Sequence, residues 1–129
     1  MGGPREPRED AGVTVSVLIV DDHSGFRARA RRLLEAEGYA VVGEAANGEQ
    51  AVLAARALTP DLVLLDVNLP DTDGFDVAAR LTGSEDAPMI VLTSSRDGAD
   101  FGPLIQRSGA RGFIPKAELS GERLRALTG

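Results

Sequence analysis

Five side chains in this sequence have the types and spacing to do chemistry together. Asp21 and Asp22 stand side by side after "VTVSVLIV" (13–20), Asp66 follows "LVLL", Thr93 follows "IVL", and Lys116 follows "GFIP". Three carboxylates gathered at one place do not all ionise without a counter-charge. A hard divalent cation such as Mg²⁺ meets that need, since it takes oxygen ligands and keeps several waters. The chain has no cysteine and one histidine, so no cluster argues for zinc. With Lys116 as a fixed positive charge and Thr93 as a hydroxyl donor, the set becomes a cradle for a phosphoryl group. Asp66 is then the nucleophile, a carboxylate that attacks phosphorus and forms an acyl phosphate. The cation and the lysine neutralise charge on the transferring oxygens. Singly, each residue has a plainer reading, because an Asp after a strand commonly makes a turn or caps a helix. Their joint placement carries the functional one.

The elements that must deliver these groups are legible as a repeated alternation. Residues 13–20 are nearly continuous in apolar and β-branched residues, as in a strand covered on both faces. Phe26, Ala30, Leu33 and Leu34 then fall at helical spacing until Gly38. "YAVVGEA" (39–45) predicts a second strand, and Asn47 with Gln50 predicts the capped start of a helix whose apolar face includes Ala51, Val52, Ala55 and Leu58. "DLVLLDV" (61–67) and "MIVLTS" (89–94) predict strands three and four, with a short helix near Phe75–Leu81 between them. Phe101, Leu104, Ile105 and Ser108 suggest a fourth helix ended by Gly109, weakened by Gly98, Gly102 and Pro103. "GFIP" (112–115) is the fifth strand. Ser120 caps a last helix, with Leu119 and Leu124 placed as a hydrophobic staple. Five strands alternating with five helices imply an α/β fold with a parallel sheet covered on both faces. Such sheets bind ligands outside the carboxyl ends of their strands, at a switch point in strand order. All five reactive groups fall at that rim.

Composition narrows the class. The 129 residues suffice for one compact domain, and 43% apolar with 26% charged residues is a globular profile. Residues 1–12, rich in Gly, Pro and charge, are expected to form a flexible tail ahead of one domain spanning 13–129. No apolar run approaches the roughly 18 residues needed to span a bilayer. "MGGPREPREDAG" lacks the apolar stretch of a secretory signal, and the absence of cysteine fits a cytoplasmic location. The net charge of −6 argues against direct nucleic-acid binding, and "RARARR" (27–32) is read as the wet face of a helix.

"LIVDDH", "LVLLDVNLPDTDG", "VLTSS" and "GFIPK" resemble the signature segments of the response-regulator receiver domain of two-component signalling. Order and spacing match too: 44 residues from Asp22 to Asp66, 27 more to Thr93 and 23 more to Lys116. The resemblance covers about residues 13–127 and implies a flavodoxin-like (βα)5 fold. It makes Asp66 the phosphoacceptor, Asp22 a direct Mg²⁺ ligand, Asp21 a ligand through a metal-bound water, and the Asn68 backbone carbonyl a further ligand. Thr93 resembles the switch hydroxyl, Lys116 the lysine that pairs with the phosphoryl group, and Phe113 the switch aromatic. The implied donors are a sensor histidine kinase, a phosphotransfer protein or small acyl phosphates. The implied output is binding of a protein partner, or self-association, through the face formed by the fourth helix, fifth strand and fifth helix. Such a domain is a signalling phosphoacceptor rather than an enzyme, with self-catalysed phosphoryl transfer and dephosphorylation. Many receivers follow the lysine with a cis proline; here Pro115 precedes Lys116 and Ala117 follows, and a cis bond would cost about 3–4 kcal/mol. Both a stand-alone receiver and one excised from a longer regulator fit the sequence.

Other motifs and readings compete. "DTDGFD" (71–76) suggests a calcium loop, but with Gly74 at the sixth position the first falls on Leu69 and the twelfth on Arg80. Asp73 is better placed as a helix cap. His23 is expected to be a partly exposed loop residue that tunes the site through its proton. A haloacid-dehalogenase-like phosphohydrolase also uses an aspartyl phosphate, Mg²⁺ and a lysine, but usually carries an Asp two residues after the nucleophile, where this chain has Asn68. A degenerate receiver that binds partners without phosphorylation is the third reading, and the intact acidic set speaks against it.

Overall fold

A computed structural model describes residues 14–95 and 101–129. The expected tail, the start of strand one at Val13, and Gly98 lie outside the described residues. Five strands, β1 (Ser16–Val20), β2 (Ala40–Ala45), β3 (Leu62–Asp66), β4 (Met89–Ser94) and β5 (Gly112–Pro115), form a parallel sheet in the order β2-β1-β3-β4-β5. Helices α1 (Ser24–Ala36), α2 (Gly48–Leu58), α3 (Gly74–Leu81), α4 (Gly102–Arg107) and α5 (Gly121–Thr128) alternate with them. The order reverses between β1 and β3, which opens a crevice at their carboxyl ends.

Period-two alternation divides the strands between two cores. Val17, Ile19, Leu62, Leu64, Val91 and Ile114 face one side, where Phe26, Ala30 and Leu34 of α1 and Leu124 of α5 cover them. Leu18, Val20, Val63, Leu65, Ile90 and Leu92 face the other, under α2 and α3. Both sets are essentially inaccessible, which is why the strands read as continuous apolar runs. Phe113 and Ile114 take opposite faces, as their adjacency requires.

The helix starts follow their caps. Asn47 accepts from the Gln50 N–H, Asp73 from Asp76 and Ser120 from Arg123. Gln50 reaches back to the Ala46 N–H, one residue before the cap, rather than to Asn47 itself. Leu58, expected on the buried face of α2, is 42% exposed. It lies over Gly43 on β2, and β2 is an outer strand of the sheet, so among the described residues no further strand flanks it. Gly109 takes φ +85 just after α4, a conformation that L side chains rarely adopt.

Gly74 is the contact that brings α3 against the end of β3. Its N–H donates to the Val67 carbonyl at 2.7 Å. A methyl group here would fall on the Asp66 carbonyl oxygen and crowd Val67 Cα, both backbone atoms that do not yield. Gly74→Ala is therefore expected to cost about 1–3 kcal/mol, read as a lower urea midpoint at unchanged slope. A midpoint equal to the parent's would show that the turn has slack.

Candidate functional site

Strand alternation and register assemble the site. Asp66 follows Leu62 and Leu64 on the α1/α5 face, and Asp66 pairs in register with Thr93, as Thr93 does with Ile114. Asp21 continues the face of Val17 and Ile19, and Lys116 that of Ile114. Four of the expected groups thus extend one core face past its last apolar layer.

Lys116 holds the carboxylates together. Its Nζ lies 2.6 Å from Asp21 Oδ2 and 3.3 Å from Asp66 Oδ2. The first is a short ion pair between the ammonium and a fully buried carboxylate. The Asn68 N–H donates to Asp66 Oδ1 at 3.2 Å. Asp21 is fully buried, whereas the Asp22 side chain is 36% exposed. Thr93 Oγ1 is buried beside Asp66 with no hydrogen-bond partner. A buried hydroxyl left unsatisfied costs free energy, so a ligand that accepts from it recovers that cost. Asn68 sits in the loop after β3, closed by an isolated bridge to Asp73. Phe113 packs 5.7 Å from Phe101, which packs 5.6 Å from Phe75. The Lys116–Ala117 peptide is trans.

Burial, followed by the charge of Asp21, pushes the Asp66 carboxyl up to about 6, against the opposing pull of the Asn68 N–H and Lys116. Burial acts to lower Lys116, but the carboxylates of Asp21 and Asp66 outweigh it and hold the ammonium above its ordinary range. Because Asp66 binds its proton more tightly folded than unfolded, this group's contribution to stability falls as pH rises from its ordinary 3.8 through about 6. In metal-free protein a carboxyl ¹³C resonance should titrate near 6. In Asp66→Asn that titration should vanish, together with the part of the stability decline in this window. An Asp66 resonance, identified by its loss in Asp66→Asn, that titrates below 4 would contradict the burial argument.

The residues present fit a hard divalent cation. Asp21, Asp22, His23 and Asp66 each bring one ligand atom, all within 4.8 Å of one another. Three of the four are carboxylates, the oxygen donors that such a cation takes, and Asp21 is fully buried.

Six contacts went unread in the sequence. Phe26, expected only as core, lies with its ring 4.7 Å from Lys116 Nζ, in cation–π range. Arg27 Nη1 donates to the Asp21 carbonyl at 2.7 Å while its Nε donates to Glu44 at 2.9 Å. Arg31 takes the other Glu44 oxygen, so two arginines of "RARARR" are engaged across the α1–β2 edge. Asp71 accepts from the Gly48 and Glu49 N–H groups, tying the loop after β3 to the start of α2. None of these pairs has a spacing signal, because each joins separate elements.

Residues 17–128 match the family model of the response regulator receiver domain. A Pseudomonas aeruginosa protein described as a transcriptional regulator is 44% identical over 111 residues, covering 85% of this chain and 53% of that protein. The transcriptional regulatory protein PdtaR of Mycobacterium tuberculosis is 36% identical over 128 residues, covering 92% of this chain and 62% of its own length. Among solved structures, a two-component response regulator of the LuxR family from an Aurantimonas species gives a TM-score of 0.80 at 32% identity. That match covers 90% of this chain and 84% of the other. The chain therefore spans little more than half the length of these two curated relatives.

Proposed function

This chain belongs to the response regulator receiver domain family, and we propose that it takes a phosphoryl group onto Asp66 and switches a protein-binding surface in response. The observation that carries this reading is the buried, partnerless Thr93 hydroxyl beside an Asp66 carboxylate that Lys116 and Asn68 already hold. In the transfer, an Asp66 oxygen attacks phosphorus in line. The new O–P bond forms as the P–N bond to a phosphohistidine breaks, and the imidazole leaves with the electron pair and takes up a proton. Lys116 balances charge on the transferring oxygens. Asp22 directly, Asp21 through water, Asp66 and the Asn68 carbonyl would hold Mg²⁺, which neutralises further charge when bound.

The donor is a sensor histidine kinase or a phosphotransfer protein, and the setting is the cytoplasm. Among the described residues, no helix is long and apolar enough to cross a membrane. A phosphoryl group on Asp66 draws the Thr93 hydroxyl toward it, and Phe113 turns inward as Thr93 moves. The responsive surface is that of α4, β5 and α5. Helix α4 has six residues, none of them fully buried, and a small bias suffices to repack such an element. The output is a partner protein or a second copy bound there. Self-catalysed dephosphorylation resets the domain.

The test is intact mass after incubation with Mg²⁺ and a small acyl phosphate, where one gain of about 80 Da per chain is expected. Steady release of phosphate from monoesters would instead support the phosphohydrolase, and absence of any metal-dependent modification the phosphorylation-independent module.

A further inference from the structure

His23 is the one member of the cation cluster that the receiver reading leaves without a role. Its Nδ1 lies 3.2 Å from Asp21 Oδ1 and 3.1 Å from Asp22 Oδ1. Its backbone N–H donates to the same Asp21 oxygen at 2.8 Å, which fixes the residue against the buried carboxylate. The separation from Asp22 also suits neighbouring ligands of one ion. With bonds of about 2.0–2.2 Å, ligands at right angles stand roughly 2.8–3.1 Å apart, and tetrahedral ones slightly farther. One atom each from Asp21, Asp22, His23 and Asp66 lies within 4.8 Å of the others.

We propose that His23 Nδ1 joins the carboxylates of Asp22 and Asp66, with Asp21 acting through a metal-bound water, on late first-row divalent cations, so that the site takes Ni²⁺, Co²⁺ or Zn²⁺ in mixed nitrogen–oxygen coordination and His23 sets its metal preference. The proposal rests on the reading of this cluster as a divalent-cation centre. Mg²⁺ is served by oxygen and gains little from imidazole. Ni²⁺, Co²⁺ and Zn²⁺ gain a ligand they favour, on top of their higher intrinsic affinity for any such donor set. The imidazole is 70% exposed, so it can turn its Nδ1 onto an ion without disturbing the core.

The test uses the whole chain stripped of metal, titrated calorimetrically with Mg²⁺ and with Ni²⁺ at pH 7.5, as the parent and as His23→Phe. The ratio of the Mg²⁺ to the Ni²⁺ dissociation constant is expected to fall at least tenfold in the variant. Co²⁺-loaded parent should also show a paramagnetically shifted, exchangeable imidazole N–H proton that His23→Phe lacks. The assignment of that signal is unambiguous because the chain has one histidine. Mg²⁺ binding with an unchanged ratio and no shifted imidazole proton would overturn the role of His23 alone. Failure of the parent to bind Mg²⁺ would overturn the cation centre and this proposal with it.

Discussion

Asp66→Asn is expected to gain no mass under conditions in which the parent gains about 80 Da, the increment of one phosphoryl group. The substitution is nearly isosteric and keeps an oxygen for the Asn68 N–H, so the fold should survive it. What it removes is the negative oxygen proposed to attack phosphorus, and an amide is too weak a nucleophile to replace it. Neither neighbouring carboxylate is placed to take over. Asp21 is fully buried with Lys116 at 2.6 Å, and Asp22 is partly exposed beside His23. Neither pairs in register with Thr93, as Asp66 does. The rate of modification should therefore fall by at least a hundredfold, below detection by intact mass. A variant modified as fully as the parent would place the phosphoryl group elsewhere and sink the assignment. A parent that is never modified, yet binds Mg²⁺, would favour the phosphorylation-independent module.

Why so much of this was legible has a physical cause. A strand buried on both faces must be apolar at every position, so runs such as Leu62–Leu65 stand out, and so does the polar residue that follows, Asp66 here. The rim followed from the topology, because parallel strands all end on the same side of their sheet. Caps are local, and Asn47, Asp73 and Ser120 took their expected partners. What stayed hidden depends on register and on contacts between elements. That Asp21, Asp66, Thr93 and Lys116 extend the α1/α5 face requires knowing which residues pair across the sheet. The Phe26 ring beside Lys116 joins residues 90 positions apart, and helical periodicity marks Phe26 only as core. Leu58 fits the same periodicity, but it lies over an outer strand of the sheet and is 42% exposed.

Lys116→Met should cost about 3–5 kcal/mol at pH 8, the range for removing one partner of a buried ion pair. Lys116 is the cation shared by two carboxylates whose side chains are 0% and 4% exposed. Methionine keeps a flexible apolar chain against Phe26, so the loss is chiefly of charge. Because the folded pKa of Lys116 is raised, its contribution is fully present at pH 8 and is lost only as pH rises past its ordinary 10.5. The pH dependence of the variant at lower pH therefore comes from the carboxylates left behind. Asp66 already titrates near 6 with the lysine present, and without it burial and Asp21 push the same carboxyl higher. Near pH 5 a proton takes the lysine's place, and the destabilisation should shrink by more than half. Two independent remedies should act at pH 8. Millimolar Mg²⁺ restores a counter-charge, and adding Asp66→Asn removes one of the two negative groups, so the double variant should be more stable than Lys116→Met alone. Urea unfolding of the four proteins at pH 5 and pH 8 measures this as a coupling free energy. A loss of equal size at both pH values, indifferent to Mg²⁺ and to Asp66→Asn, would mean that Lys116 holds the fold by packing on Phe26 and not by balancing the acidic site.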